Sequence, residues 1–331
     1  MHERQNQVSA ERTFSSDAPK RLRNAIRWSA LLAAVGGVSL LAGFETARTT
    51  LSVPASNSGI SVESSSRAAS PVHMPTAEKK MDPELTRLPP QQQVEGLLQR
   101  AMNDDESSLE LLRENVDAWR GHIRNTDHLF DLVLAALNSH DLRVRTVAVD
   151  VDLAANNLGK SPESVAHLIG QLKRDPAGRG MAMWRLGALG NRGVEPEKVL
   201  NNLLNYAQDA NEHTRYWAVE GLAMLGNDAS IDPLLDLLAH DPSPRVRERA
   251  ASSLGKSGLL TREERLAAVP HLLNFADDDS LNTTTRELVY GTLRVITGAA
   301  LGNDANAWRA WWAQHDPAQE HSNTRTRLLH A

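Results

Sequence analysis

The residues best able to do chemistry in this chain are carboxylates and imidazoles, because cysteine is absent from all 331 positions. That absence removes thiolate catalysis, disulfides and cysteine-ligated zinc or iron–sulfur sites together, and it leaves the redox compartment open. Asp277, Asp278 and Asp279 are the densest run of potential cation ligands. A calcium loop, however, alternates its ligands along the chain and fixes a glycine at its sharp turn. This run does neither and reads as a solvated turn. His122 and His128 stand six apart, the wrong spacing for one helical face, and no His-Glu-x-x-His sequence occurs. Asp150 and Asp152 are two apart and point to different faces of a helix. Neither a glycine-rich phosphate loop nor a Gly-x-Ser-x-Gly elbow is present. These residues predict no catalytic centre, no metal and no cofactor; an enzyme would have to assemble its site from scattered positions.

What the chain offers instead is a repeat. An aspartate returns every 32 to 36 residues, at Asp141, Asp175, Asp209, Asp241 and Asp277, each followed by an arginine: Arg145, Arg179, Arg215, Arg247 and Arg286. Three places after each arginine stands an apolar residue, Ala148, Ala182, Ala218, Ala250 or Val289. Four places further comes Leu186, Leu222, Leu254 or Leu293, while the first unit carries Asp152 there, which leaves its register open. Self-similarity at this period means stacked supersecondary units, each too small to bury its own apolar face. From Val94 on, the apolar residues fall at helical spacing and no stretch alternates with period two, so the folded part is expected to be all-α. Leu129, Phe130, Val133, Leu134 and Leu137 form one stripe, and Val165, Leu168, Ile169 and Leu172 the next. Val199, Leu200, Leu203 and Leu204 follow, then Ile231, Leu234, Leu235 and Leu238. Each stripe marks the first helix of a pair. Ser161 before Pro162, and Thr261 with Glu264, are helix starts. Gly190, Gly226 and Gly258, each eight residues after the unit's alanine, are expected to close the second helices in left-handed conformation.

These residues resemble the HEAT repeat, a helix pair whose inter-helix turn carries Asp and whose second helix begins with Val-Arg. The closest match is Asp241, Pro242, Val246 and Arg247, followed by Ala250 and Leu254. Asp209 and Arg215 keep that spacing with Thr214 in place of the valine, whereas Asp141–Arg145 and Asp175–Arg179 are two residues closer. No unit shows the tetratricopeptide Trp-Leu-Gly-Tyr order or the ankyrin Thr-Pro-Leu-His run. The resemblance implies an α-solenoid of stacked HEAT-like helix pairs over residues 91–315. It also implies an inter-repeat ladder built from Asp209, Arg215, Asp241 and Arg247. Short HEAT-like repeats of the bilin-lyase type have about this period, so the resemblance carries an alternative in which the chain is an enzyme or enzyme accessory of that type.

The ends of the chain read differently. Residues 1–27 carry six basic and three acidic side chains, a basic tail of net +3. Trp28 to Phe44 is seventeen residues without charge, roughly 26 Å as a helix against a hydrocarbon core of roughly 30 Å. With Arg21, Arg23 and Arg27 before it, this segment is expected to be a single transmembrane helix or signal anchor, the N-terminus cytoplasmic and the rest beyond the membrane. A cleaved signal peptide has the same three-part build and would leave the protein secreted, but no clean small-x-small site follows. Residues 45–90, rich in Ser, Thr, Pro and Ala, read as a disordered linker. Trp308, Trp311 and Trp312 share a helical face after Asp304, which suits a terminal cap, and 316–331 reads as a polar tail.

The overall charge of −5 leaves −8 for residues 91–331, which argues against a nucleic-acid partner because phosphate-backbone binding needs a basic stripe. A protein or peptide partner is expected instead, on the inner face where second helices line up. Arg143, Glu220, Arg245, Glu248 and Arg249 are the polar positions on or near those helices, mixed in sign. The sequence thus predicts a non-catalytic scaffold held to the cytoplasmic membrane through residues 28–44.

Overall fold

The computed structural model describes residues 85–316, which form helices and connecting turns with no strand among them. The apolar segment 28–44, most of the stretch read as a linker and the polar tail lie outside the described residues. Among the described residues no helix is long and apolar enough to cross a membrane. The folded part begins ahead of residue 91: a 3-10 turn at Leu85–Arg87 buries Leu85.

After that turn come α1 (Pro90–Ala101), α2 (Glu106–Asn115), α3 (Asp127–Leu137) and α4 (Leu142–Ala155). Next are α5 (Pro162–Arg174), α6 (Arg179–Asn191), α7 (Pro196–Ala207) and α8 (Glu212–Leu225). The array continues with α9 (Asp228–His240), α10 (Pro244–Gly255), α11 (Arg262–Ala267) and α12 (Val269–Ala276), and ends with α13 (Thr283–Thr297) and α14 (Ala305–His315). The second helices of the units are α4, α6, α8, α10 and α13. On them Ala148, Ala182, Ala218, Ala250 and Val289 are all fully buried, as are the four leucines seven places after each arginine. The repeat spacing therefore marks the residues that one unit hides against the next. Asp152, at the leucine position of the first unit, is also buried, so that register holds with a carboxylate where an alkyl group stands elsewhere.

Capping follows the local chemistry. Ser161 accepts from the backbone N–H of Ser164, and Thr261 and Glu264 close a reciprocal capping box. Gly226 ends α8 in left-handed conformation, and Gly258 turns the same way two residues beyond the cap of α10. Gly190 departs from expectation: α6 runs on to Asn191, and Gly193 takes the left-handed turn instead. Gly190 is small for another reason, since a Cβ there would meet Leu225 and Val199 at 2.7 and 2.9 Å.

Two apolar cores lie side by side. One joins α1 and α2 to one face of α3 and α4 through Leu97, Leu112, Leu129, Val133, Val147 and Val151. The other starts on the opposite faces, at Phe130, Leu134, Val149 and Leu153, and runs through the remaining units to Trp308. Trp308 is buried and donates its indole N–H to the Gly302 carbonyl at 2.8 Å, so α14 closes the stack with its tryptophan face inward.

The first and second units do not stack in the simple parallel sense. Asp152, near the end of α4, pairs with Arg185 in the middle of α6 at 2.7 Å. Earlier on α4, Thr146 (by its carbonyl) and Asp150 both bind Arg192, just beyond the end of α6, at 2.7 and 3.1 Å. The end of α4 thus meets the middle of α6, while its middle meets the residue just past the end of α6, so α4 does not lie in register beside α6. Nearer the start of α4, Arg145 donates to the Gly258 carbonyl at 3.0 Å, beyond the far end of α8. The α3–α4 pair lies across the later repeats rather than continuing their row. In keeping with this, α8 is buried along its whole length from Thr214 to Leu225, leaving no polar stripe facing water.

Candidate functional site

The recurring arginine does one thing in most units: it ties down the turn between the two helices. Arg145 Nη1 donates to the Ser139 and His140 carbonyls, and Arg215 Nη1 to those of Asp209 and Ala210. Arg247 Nη1 reaches the Asp241 carbonyl at 2.7 Å, and Arg179 Nε the Leu172 carbonyl at 2.9 Å. Carbonyls of a tight inter-helix turn have no helical donor, and a guanidinium early in the next helix is a multi-pronged donor that satisfies them; only Arg179 reaches back to a carbonyl in the last turn of the helix itself. Of Asp209, Arg215, Asp241 and Arg247, only Arg215 and Asp241 meet side chain to side chain, across units, in a two-pronged pair at 2.8 and 3.0 Å. The Asp209 carboxylate accepts from the Asn211 N–H instead, because the arginine six places on is spent on Asp241 and on backbone carbonyls.

A second set of ion pairs ties neighbouring second helices together deep in the fold. Glu220 on α8 and Arg249 on α10 are 0% and 4% exposed. Nη2 donates to Oε2 at 2.7 Å, and Nε sits 2.6 Å from Oε1 in a contact not aligned as a hydrogen bond. Nη1 of Arg249 is left without an acceptor among the described residues. Burial alone would depress this guanidinium, but the Glu220 carboxylate outweighs it and holds the arginine above its ordinary pKa. Tyr216 shares the pocket: burial first and the Glu220 charge second push its hydroxyl up to about 12. Above it, at the surface, the Arg245 guanidinium lies 4.5 Å from the centre of the Tyr216 ring.

This geometry corrects two of the positions expected to meet a partner. Glu220 and Arg249 do not face solvent, since α8 is covered on all sides, and among the described residues each is the other's ion-pair partner. Arg245 is exposed and Glu248 partly so, while Arg143 is exposed at the start of α4 and bound to Asp141 and Glu106 at 2.8 Å. The structure therefore brings Arg245, Glu220 and Arg249 together through Tyr216, and leaves Arg143 apart. The carboxylate runs are structural too: Asp150 and Asp152 bind arginines on the neighbouring unit, Asp277 pairs with Arg309 and Asp279 with Arg286. Among the described residues no group of three or more His, Asp or Glu side chains is placed to hold a metal ion.

One aromatic and cationic edge was not singled out by the sequence reading. At the turn ends of α6 and α8, Pro176, Arg179, Met181, His213 and Trp217 line a small hollow of about 40 Å³. Arg179 lies 5.6 Å over the Tyr206 ring, and the Trp217 indole N–H donates to His213 Nε2 at 3.1 Å. The only advance sign of this edge was two adjacent aromatics, Tyr216 and Trp217, directly after a repeat arginine. Accepting from Trp217 requires the neutral ring, and partial burial followed by the Arg245 charge holds the His213 pKa below its usual value. A histidine depressed on folding takes its proton more readily when unfolded, so its contribution is lost as pH falls through about 6.5 and below. Stability across that range is expected to fall by less than about 1 kcal/mol, a drop in melting temperature of no more than about 4 °C, given solvent screening. In His213→Gln that part of the pH dependence disappears.

The family model for HEAT repeats matches this chain twice, over residues 165–255 and 200–290. No curated protein matches the sequence. The matched span runs from α5 into α13 and takes in the Arg215–Asp241 and Glu220–Arg249 pairs and the tight α6–α8 contact. These observations make the chain a HEAT repeat-containing protein, an all-helical repeat scaffold of the kind that serves protein interaction.

Proposed function

We propose that the chain is a non-catalytic scaffold, anchored in the membrane through residues 28–44, which holds its HEAT repeats beyond the cytoplasmic membrane to dock a protein or peptide. The observation that carries this reading is the turn edge of α6, α8 and α10, where Arg245 is exposed and Arg179 and Met181 are partly exposed around the buried Trp217, beside a rigidly braced core. Arg and Met are among the residues enriched at interfaces, where apolar area combines with directional donors. The cross-braced repeats beneath give such an edge a fixed shape, which lowers the ordering cost of binding. Glu248, partly exposed three residues after Arg245, adds a charge of opposite sign that would steer and select rather than hold.

Full-length wild-type chain and an Arg179→Glu, Arg245→Glu variant, both purified from membranes after cross-linking, test this. The expected result is one or more partners captured by the wild type and lost from the variant, with unchanged helical content. Identical captured sets would overturn the docking edge. A reporter fused after residue 90 tests the anchoring, and activity confined to the cytoplasmic side would overturn it.

A further inference from the structure

The fold-back of α3–α4 over the later repeats creates a cleft that the repeat pattern alone would not contain. The α3–α4 turn forms one wall, the end of α10 with α11 the second, and the last turns of α13 the third, enclosing about 620 Å³. That is within the range of small-molecule sites. Four fixed cations line it, Arg145, Lys256, Arg262 and Arg265, with no acidic side chain among the lining residues. The unit around it is acidic overall, so this concentration of positive charge is local.

Two of the four are buried and lack a carboxylate partner among the described residues. Arg145 is 7% exposed and spends its bonds on the carbonyls of Gly258, Ser139 and His140. Arg265, equally buried, donates to the carbonyls of Ser253, Leu254 and Ser257. Neutral carbonyls satisfy hydrogen bonds without cancelling charge, and burying an uncancelled charge is costly. The nearest carboxylates are engaged elsewhere: Asp141 holds Arg143, and Glu264 caps its own helix at Thr261. Nη2 of Arg145 and Nε of Arg265 make no hydrogen bond among the described residues. Burial first, and the Arg145 charge second, push Arg265 down to about 10, the mark of a site short of negative charge. Lys256 and Arg262 stand exposed at the rim without ion-pair partners among the described residues. Leu142, Leu260 and the half-exposed Val295 supply an apolar wall.

We infer that this cleft binds a small organic anion, its carboxylate or phosphate group on Arg145 and Arg265, its apolar part against Leu142, Leu260 and Val295. Lys256 and Arg262 draw the anion in from the rim. Planar guanidinium groups with free N–H bonds are the donors best matched to such oxyanions. The site sits at the opposite end of the second helices from the docking edge and needs no protein partner, so either reading can fail without the other.

The test is calorimetric titration of the full chain, reconstituted in nanodiscs of neutral lipid at low salt, with hexyl phosphate, hexanoate and hexanol. Saturable binding of either anion but not of the alcohol is expected. A Lys256→Glu, Arg262→Glu variant should weaken it at least about tenfold, the loss of two favourable charges. Both side chains lie at the surface, so the variant's melting temperature without ligand should match the wild type. Arg265→Gln, at a buried carbonyl-bound position, is a second variant expected to lose binding, read only if its melting curve stays cooperative. Hexanol binding as tightly as the anions, undiminished affinity after charge reversal, or no saturation at millimolar anion would each overturn the inference.

Discussion

Glu220→Ala is expected to destabilise the repeats by about 3–5 kcal/mol, because it strands the buried Arg249 guanidinium, which has no other carboxylate partner among the described residues. At about 2–4 °C per kcal/mol for a domain of this size, the melting transition followed by circular dichroism should fall by on the order of 10 °C. Set against a total stability of about 5–15 kcal/mol, such a loss removes a large part of what holds the fold together. The mechanism has a sharper signature than the size of the effect. Removing both charges at once, as in Glu220→Met with Arg249→Met, should recover most of the stability, since two ions no longer need to be kept from water and Nη1 no longer lacks an acceptor. If Glu220→Ala melted within about 1 kcal/mol of the wild type, the pair would not be what joins α8 to α10.

Gly187→Ala is the second large effect, and here the obstacle is backbone. A Cβ on Gly187 would lie 2.0 Å from the Gly221 carbonyl oxygen and 2.9 Å from its carbon. Across the same contact, a Cβ on Gly221 would lie 2.4 Å from Leu203 Cδ2 and 2.9 Å from the Met183 carbonyl oxygen. Side chains can rotate away from an intruding methyl group, but two helix backbones can only move apart. That separation would reopen the core formed by Met183, Leu186, Val219 and Leu222. The expected cost is about 3 kcal/mol or more. It exceeds the gain of about 1 kcal/mol that alanine brings to a helix interior over glycine. Gly302→Ala is the control, since a Cβ there meets nothing within 4 Å, and it should leave the urea midpoint unchanged. Equal midpoints for both variants would show that α6 and α8 are not in close backbone contact.

The helices and their repeating order could be read from the amino acids, because helical period, caps and the small residues of each seam are properties of a few neighbouring positions. Ala148, Ala182, Ala218, Ala250 and Val289 are buried where their spacing puts them, and Ser161 and Thr261 start helices through their own side chains. The Asp–Arg recurrence was equally visible, but its use was not: the arginines mostly bind carbonyls of the turn just before their own helix, and backbone acceptors have no residue type to betray them. The pairs Asp152–Arg185 and Glu220–Arg249 join residues 33 and 29 apart, and the Arg145–Gly258 bond spans 113 positions. Contacts at that range depend on how each helix pair turns relative to the last. Side chains of unlike size set that turn, glycines drawing α6 and α8 together and paired ions bridging α4 and α6. Only the folded chain adds up those turns, and their sum brings the α3–α4 turn onto the last repeats, buries α8 and gathers four cations around one cleft.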